Sequence, residues 1–448
     1  MQGDILVTKM TSPDWVPAMR KAKAIITDEG GRTCHAAIVS RELGIPCVVG
    51  TMQATKTFKT GQEVTVNGFT GEVYQGEIQV KARPADGAPQ DAYSELQKLL
   101  SKKSHLDVNA HNWRVSGEEI IDEEHKLLNL LKQIAVKISE DEQELDQLFE
   151  RIAIKVKVNV ALPDAAERAS KTGAAGVGLL RAEHMITAGG KHPAAFLREE
   201  KYVELKDVVK SGIRNVAKHF GDRPIWYRTF DARSDEFRHL KGGESEPEED
   251  NPMIGWHGIR RDLDQTDLLR AQLQAIKELR DEGYTKIGIM LPFVINVAEV
   301  QMAKKIAREV GLAPNKEIAF GVMVETPAAV WIIDQLIAEG IDFISFGTND
   351  LTQLTLGLDR NNSLVQKHFS ELHPAILRSC ERVIKACKAA GVTTSICGQA
   401  ANNPDMVKQL MAYGIDSISA NIDAVDDMKK FVMAEKKRQL LEGAAKIE

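Results

Sequence analysis

The chain has 448 residues, a formal net charge of -6 at pH 7 and 43% hydrophobic residues, enough for two or three domains with a sizeable core. No basic block is present to hold a nucleic acid, and no apolar run reaches the ~18 residues that a membrane span needs. Five cysteines (Cys34, Cys47, Cys380, Cys387 and Cys397) show no metal-ligating spacing, and with no signal peptide before the first strand they suit a reducing, cytoplasmic setting.

Gly3 to Thr8 reads as a strand, and Ser12-Pro13 as a helix start with Ser12 as its cap. Ala24-Ile25-Ile26 is the next strand. It runs into Gly30-Gly31, where glycine accepts the backbone of a sharp turn. Thr33 is the expected N-cap of a helix over Cys34 to Leu43. His35 then stands in the first turn, where free N–H groups and the helix dipole favour a negative group. A histidine so placed suits carrying a phosphoryl group on a ring nitrogen. A capped structural helix with a solvent-facing histidine fits the same residues. Strands at 46–49, 63–67 and 71–74, joined by glycine turns, complete a small α/β unit over residues 1–82.

Pro84, Gly87 and Pro89 mark a boundary. A long helical segment is expected from Ser116 to about Glu150, with Leu127, Leu131, Ile134 and Ile138 repeating at spacings of four and three. Residues 83–151 are read as a helical linker or insertion, either a spacer or a partner-binding helix.

From residue 152 to 448, short apolar strands alternate with long amphipathic helices. Strands are expected at 154–160, 176–180, 224–230, 253–256, 287–291, 318–324, 343–346 and 393–396. Eight strand–helix units over this length predict a (β/α)8 TIM barrel, whose functional residues sit at the C-terminal strand ends. The expected class is therefore α/β, with a small swivelling unit, a helical linker and a barrel.

The residues at those strand ends are chemically distinctive. Arg181 follows the second strand, and Arg228 ends the third with Asp231 just after it. His257 follows the fourth, Glu325 the sixth, Gly347-Thr348-Asn349-Asp350 the seventh and Cys397 the eighth. Guanidinium forks bind phosphate or carboxylate bidentately. Glu325 and Asp350 offer hard oxygens for Mg²⁺, which takes one or two carboxylates plus substrate oxygens. Gly347, Thr348 and Asn349 can contact a small anion, and Cys397 can exchange a proton with carbon. A small, doubly anionic substrate held with Mg²⁺ is the expected tenant.

The run from Gly30 to Pro46 resembles the phosphohistidine domain of the phosphoenolpyruvate-utilising enzymes. The barrel motifs resemble the same family in order: Gly178 to Glu183, Arg228 to Asp231, Asn251 to Trp256, Val324 to Ala328, Gly347 to Gln353 and Cys397-Gly398-Gln399. Within the family, Cys34-His35-Ala36-Ala37 is nearer the synthases (pyruvate, water dikinases) than the pyruvate, phosphate dikinases or the enzyme I branch. The resemblance implies that His35 is the phosphohistidine. It implies that Arg181, Arg228 and Arg360 hold the phosphate and carboxylate of phosphoenolpyruvate, and that Gly347, Thr348 and Asn349 also contact substrate. Glu325 and Asp350 would contact substrate and ligate Mg²⁺, and Cys397 would serve the methyl carbon of pyruvate. It also implies a homodimer through the barrel, and pyruvate formation from phosphoenolpyruvate as the half-reaction this chain can run, within ATP + pyruvate + water giving AMP + phosphoenolpyruvate + phosphate, a gluconeogenic step.

Three departures stand out. No ATP-grasp domain is recognisable, so a truncated or split form is expected, with that domain removed or on a separate chain and no ATP half-reaction here. His257 occupies the place of the family's usual Arg in Gly-Trp-Arg-Gly. Residues 83–150 exceed the family's usual link. Two other readings remain at this point: an enzyme I relative that phosphorylates a carrier protein, and a non-catalytic phosphoenolpyruvate-sensing scaffold.

Overall fold

The computed structural model describes residues 4–12, 15–31, 34–68, 71–76, 153–362 and 364–445. The helix expected over 116–150, the Pro13 start and the Thr33 cap lie outside them.

In the N-terminal unit, strands β1 (Ile5–Thr8), β2 (Ala24–Thr27) and β3 (Cys47–Val48) form a parallel sheet in that order. Strands β4 (Val64–Asn67) and β5 (Glu72–Gln75) form an antiparallel hairpin. β2 is buried along its whole length, as a central apolar strand must be. After β2 the chain turns at Gly30, whose φ of +100° is open to glycine. A Cβ there would also lie 2.7 Å from Cys34 Sγ. The helix that follows runs from His35 to Leu43, with Cys34 as its extended N-cap residue and Gly44 closing it in the left-handed conformation.

Eight parallel strands close the barrel. They are β6 (Lys155–Val160), β7 (Val177–Arg181), β8 (Ile225–Arg228), β9 (Ile287–Leu291), β10 (Phe320–Val324), β11 (Phe343–Gly347), β12 (Thr393–Cys397) and β13 (Ser417–Ala420). The predicted architecture is correct, but two of its elements are not as expected. Met253 to Trp256 is no strand: Pro252–Ile254 is a 3-10 turn in the loop after β8, and Ile254 is 53% exposed. The Met253 and Ile254 side chains stay partly exposed at the mouth, so the apolar run buries no face that a central strand would. The eighth strand is β13. Its serines conceal it, because Ser417 and Ser419 are buried between neighbouring strands. Ser417 Oγ lies 3.0 Å from Ser395 Oγ, and a Cβ on Gly178 would meet Ser419 at 2.5 Å. Glu325 therefore follows the fifth barrel strand, and Gly347 and Cys397 end the sixth and seventh.

The barrel interior is packed, not hollow. Leu179, Trp226, Met290, Met323, Phe343 and Cys397 form one buried cluster inside it. Trp226 and Phe343 stack at 4.0 Å between ring centroids. This plug places Cys397 between an apolar floor and the polar rim above.

Candidate active site

One pocket at the C-terminal mouth of the barrel gathers all ten site residues predicted from sequence. Nine come from the barrel. His35 comes from the N-terminal unit, which rests on the mouth.

His35 begins its helix, and Nδ1 lies 3.0 Å from the Thr11 hydroxyl. When Nδ1–H donates to Thr11, the lone pair is left on Nε2. Nε2 is buried and makes no hydrogen bond. Burial, then the neighbouring charges of His184, Arg181 and Arg233, push the His35 pKa down to about 3. The ring is thus neutral near pH 7.

Arg228, at the end of β8, is buried between two carboxylates. Its guanidinium pairs with Glu183 at 3.1 Å and with Asp231 at 2.9 Å. Burial opposes its charge, but Glu183 and Asp231 outweigh that and raise its pKa. Nε remains buried and unpartnered. Arg181, at the end of β7, lines the same pocket.

Glu325 directly follows β10 and accepts the backbone N–H of Phe293 at 2.6 Å. Burial, then the charges of Asp231 and Asp350, push its pKa up to about 8. The Gly347 backbone leaves room for it: a Cβ at 347 would lie 2.4 Å from Glu325 Oε2. Thr348, Asn349 and Asp350 form the first turn of the helix Thr348–Leu356. Thr348 donates to Glu371, Asp350 pairs with Arg360 at 3.3 Å, and Asn349 Oδ1 is buried without a partner.

These groups fit a small hard cation. Two carboxylates crowd their negative charge, and Asn349 Oδ1 adds an unmatched oxygen. Among the described residues no group of three or more His, Cys, Asp or Glu is gathered for a metal. A cation here would therefore complete its shell with substrate and water, the habit of Mg²⁺.

Cys397 ends β12. Its thiol donates to the Phe346 carbonyl at 3.4 Å, and burial raises its pKa, so it is held as S–H. The pocket thus combines a neutral nucleophilic nitrogen, four arginines, five carboxylates and a protonated thiol.

Sequence reasoning missed Thr11, Glu183, His184 and Arg233, all placed at or beside this pocket. Glu183 and His184 stand two and three residues after Arg181, so the motif itself held a signal for them. Thr11 held none, being 24 residues before His35 in a loop.

Residues 1–71 match the family pattern described as "PEP-utilising enzyme, mobile domain", and residues 137–437 the one described as "PEP-utilising enzyme, PEP-binding domain". The chain is 51% identical over 98% of its length to phosphoenolpyruvate synthase of Pyrococcus furiosus, covering 48% of that protein. It is 47% identical over 100% of its length to the probable phosphoenolpyruvate synthase of Archaeoglobus fulgidus, covering 52% of it. For the phosphoenolpyruvate synthase of Aeropyrum pernix the identity is 37%, over 98% of this chain and 49% of that one. The chain spans about half the length of the curated relatives it matches.

Proposed function

Because the chain belongs to the phosphoenolpyruvate-utilising enzymes, we propose that it passes a phosphoryl group between His35 and the enol oxygen of pyruvate at the barrel mouth. One observation carries this reading: the unpartnered Nε2 of His35 shares a pocket with Arg181, Arg228, Glu325 and Cys397. A carrier nitrogen and an enolate site belong together only if a group moves between them.

In the direction of pyruvate formation, the Nε2 lone pair attacks phosphorus, and the bond from phosphorus to the enol oxygen breaks. The electron pair on that oxygen becomes an enolate, and Cys397 delivers its proton to the methylene carbon to give the methyl group of pyruvate. The thiolate left behind regains a proton from solvent. In the reverse direction the thiolate removes a methyl proton and the enolate oxygen takes the phosphoryl group from phospho-His35.

Arg228 enters this scheme already fixed by Glu183 and Asp231, so ordering it costs little when an anion arrives. Arg181 and Arg360 complete the cationic side, and the first turn at Gly347 to Asp350 positions the substrate. Glu325 and Asp350 would hold Mg²⁺, which when bound stabilises the enolate charge.

The chain then supplies the pyruvate half of ATP + pyruvate + water giving AMP + phosphoenolpyruvate + phosphate, a gluconeogenic reaction. A nucleotide-binding part of the ATP-grasp kind, on the same polypeptide or another, would load His35. We take residues 1–82 as the mobile domain, 83–151 as its connection and 152–448 as the barrel, paired with a second copy through the barrel. A cytoplasmic setting is supported by five free cysteines.

The test is to incubate the chain with Mg²⁺ and phosphoenolpyruvate and follow its intact mass. A phosphoryl increment that maps to His35 and is absent from His35→Ala is expected. An unlabelled wild-type chain that still binds phosphoenolpyruvate would instead mark a sensor.

A further inference from the structure

The helix that presents His35 also carries a second group to the barrel. Glu42 lies seven positions after His35, two turns on and so on the same helical face, roughly 10 Å along the axis. Its carboxylate accepts the backbone N–H of Ala161, 3.1 Å from each oxygen, and that of Leu162 at 3.1 Å. Both amides follow directly on β6, the first strand of the barrel. The Glu42 backbone takes part too, because the Arg168 guanidinium donates to its carbonyl.

Val16, Met19 and Val39 also pack into one apolar cluster with the barrel, which holds the units together without fixing a register, and the other polar contacts are weaker anchors. Arg20 pairs with Asp164 at 3.1 Å, but both side chains are largely exposed. Exposed ion pairs contribute only about 0–1 kcal/mol. Gly31 lies against the Gln366 side chain, where a Cβ would fall 1.8 Å from Nε2, a close approach with no hydrogen bond or charge pairing to fix it. At Glu42, by contrast, a half-buried carboxyl group is matched by two fixed donors. Burial pushes its pKa up to about 7, and Arg181 partly offsets the cost. Two successive N–H groups on a strand end are rigid, so they dictate where the carboxylate sits. A rigid helix then carries that placement to His35.

Resting on the function proposed above, we infer that Glu42 is a positioning residue for phosphoryl transfer: it clasps the end of the first barrel strand and so sets where His35 enters the mouth. Neither oxygen of Glu42 touches the reacting atoms. The effect works through the geometry of His35, and a misplacement of about 1 Å is enough to cost a factor of 100 in rate.

The experiment uses the full chain with Glu42→Ala and Glu42→Gln, Mg²⁺ and phosphoenolpyruvate. Three quantities are read: the rate of His35 phosphorylation at saturating phosphoenolpyruvate, its Kd by calorimetry, and hydrogen exchange at the Ala161 and Leu162 amides. Glu42→Ala is expected to slow phosphorylation by about 10-fold or more, with Kd little changed and both amides exchanging faster. Glu42→Gln keeps one acceptor oxygen and is expected to fall between the two, and it carries the comparison should Glu42→Ala not fold. Equal rates in wild type and variant overturn the inference, as does a rate loss matched by an equal loss of phosphoenolpyruvate binding. A wild-type chain that is never labelled defeats the proposed function instead, while amide protection that depends on Glu42 would still report the clasp.

Discussion

Asp231 braces two cations at once: its Oδ1 lies 2.8 Å from His257 Nδ1 and its Oδ2 lies 2.9 Å from the Arg228 guanidinium. The other His257 nitrogen, Nε2, faces the Met253 carbonyl at 3.2 Å. Both ring nitrogens face acceptors, and only an imidazolium can donate from both. Burial opposes that charge, but the hydrogen bond and charge of Asp231, with help from Asp350 and Met253, hold the pKa above the usual 6.5. Asp231 thus favours the charged form of His257 beside Arg228.

A titrating cation has a consequence that arginine lacks. A raised histidine pKa means that the Asp231–His257 interaction is fully present below about pH 6.5 and is lost as pH rises through the raised value. Phosphoenolpyruvate binding is expected to weaken over that rise. His257→Arg, charged throughout, should remove this alkaline limb. Calorimetric Kd values against pH for both proteins check it; an unchanged limb in His257→Arg assigns the titration to another group.

Gly347 is set by contact rather than by backbone conformation. A methyl group there would meet Glu325 Oε2 at 2.4 Å and Glu325 Cβ at 2.8 Å. Glu325 cannot withdraw freely, because Oε1 is tied to the Phe293 N–H. Gly347→Ala should therefore displace the carboxylate, at a stability cost of about 1–3 kcal/mol. Mg²⁺-dependent phosphoenolpyruvate binding is expected to weaken by about 10-fold or more, as such a loss of placement implies. Denaturant melts and calorimetry separate the two effects, and intact binding would show that Glu325 is not needed where it stands.

The barrel was legible because its chemistry is local. Residues such as Arg181, Glu325 and Cys397 directly end apolar strands, so strand prediction alone placed them on one rim. The element errors share one cause. Ser417 and Ser419 are buried because β13 packs against small neighbours, a property of the partner strand and not of the serines. Met253 and Ile254 are apolar yet partly exposed, because they serve a loop at the mouth. Contacts between the two units were illegible. Glu42 against Ala161 depends on how the units dock, and Thr11 behind His35 on how a loop within the N-terminal unit folds back, and no periodicity within either stretch reports that.

The Thr11–His35 bond yields a test of the tautomer. With Nδ1–H donating to Thr11, the reactive lone pair lies on Nε2 toward the pocket. Thr11→Val keeps the shape and removes the acceptor, so both tautomers become accessible. Phosphorylation of His35 should slow by about 10-fold, the lower range seen for partners that orient histidine ligands. Thr11→Ser should restore it. With the His35 pKa near 3, protonation of the ring should not limit the rate between pH 5 and 9, in either protein. Single-turnover rates across that range decide the matter, since an acid limb centred near 6.5 would place His35 in water.

In the proposed reaction Cys397 moves a proton. Its thiol sits on the apolar floor formed with Met323, Trp226 and Phe343, and its hydrogen bond goes to a backbone carbonyl. Burial keeps the thiol protonated to higher pH than a free cysteine. It therefore suits the acid role toward an enolate and becomes a base only once its proton has left. Cys397→Ala is expected to slow exchange of the pyruvate methyl protons with solvent by roughly 100-fold or more, the usual scale of a lost acid–base group. Mg²⁺-dependent ligand binding should persist, because the arginines and carboxylates are untouched. In the wild type, exchange should quicken as pH rises toward the raised thiol pKa, when more thiolate is available to take the methyl proton. Following deuterium uptake by proton NMR gives both the rate and its pH profile. Exchange that survives in Cys397→Ala would move the proton transfer to another group at the mouth.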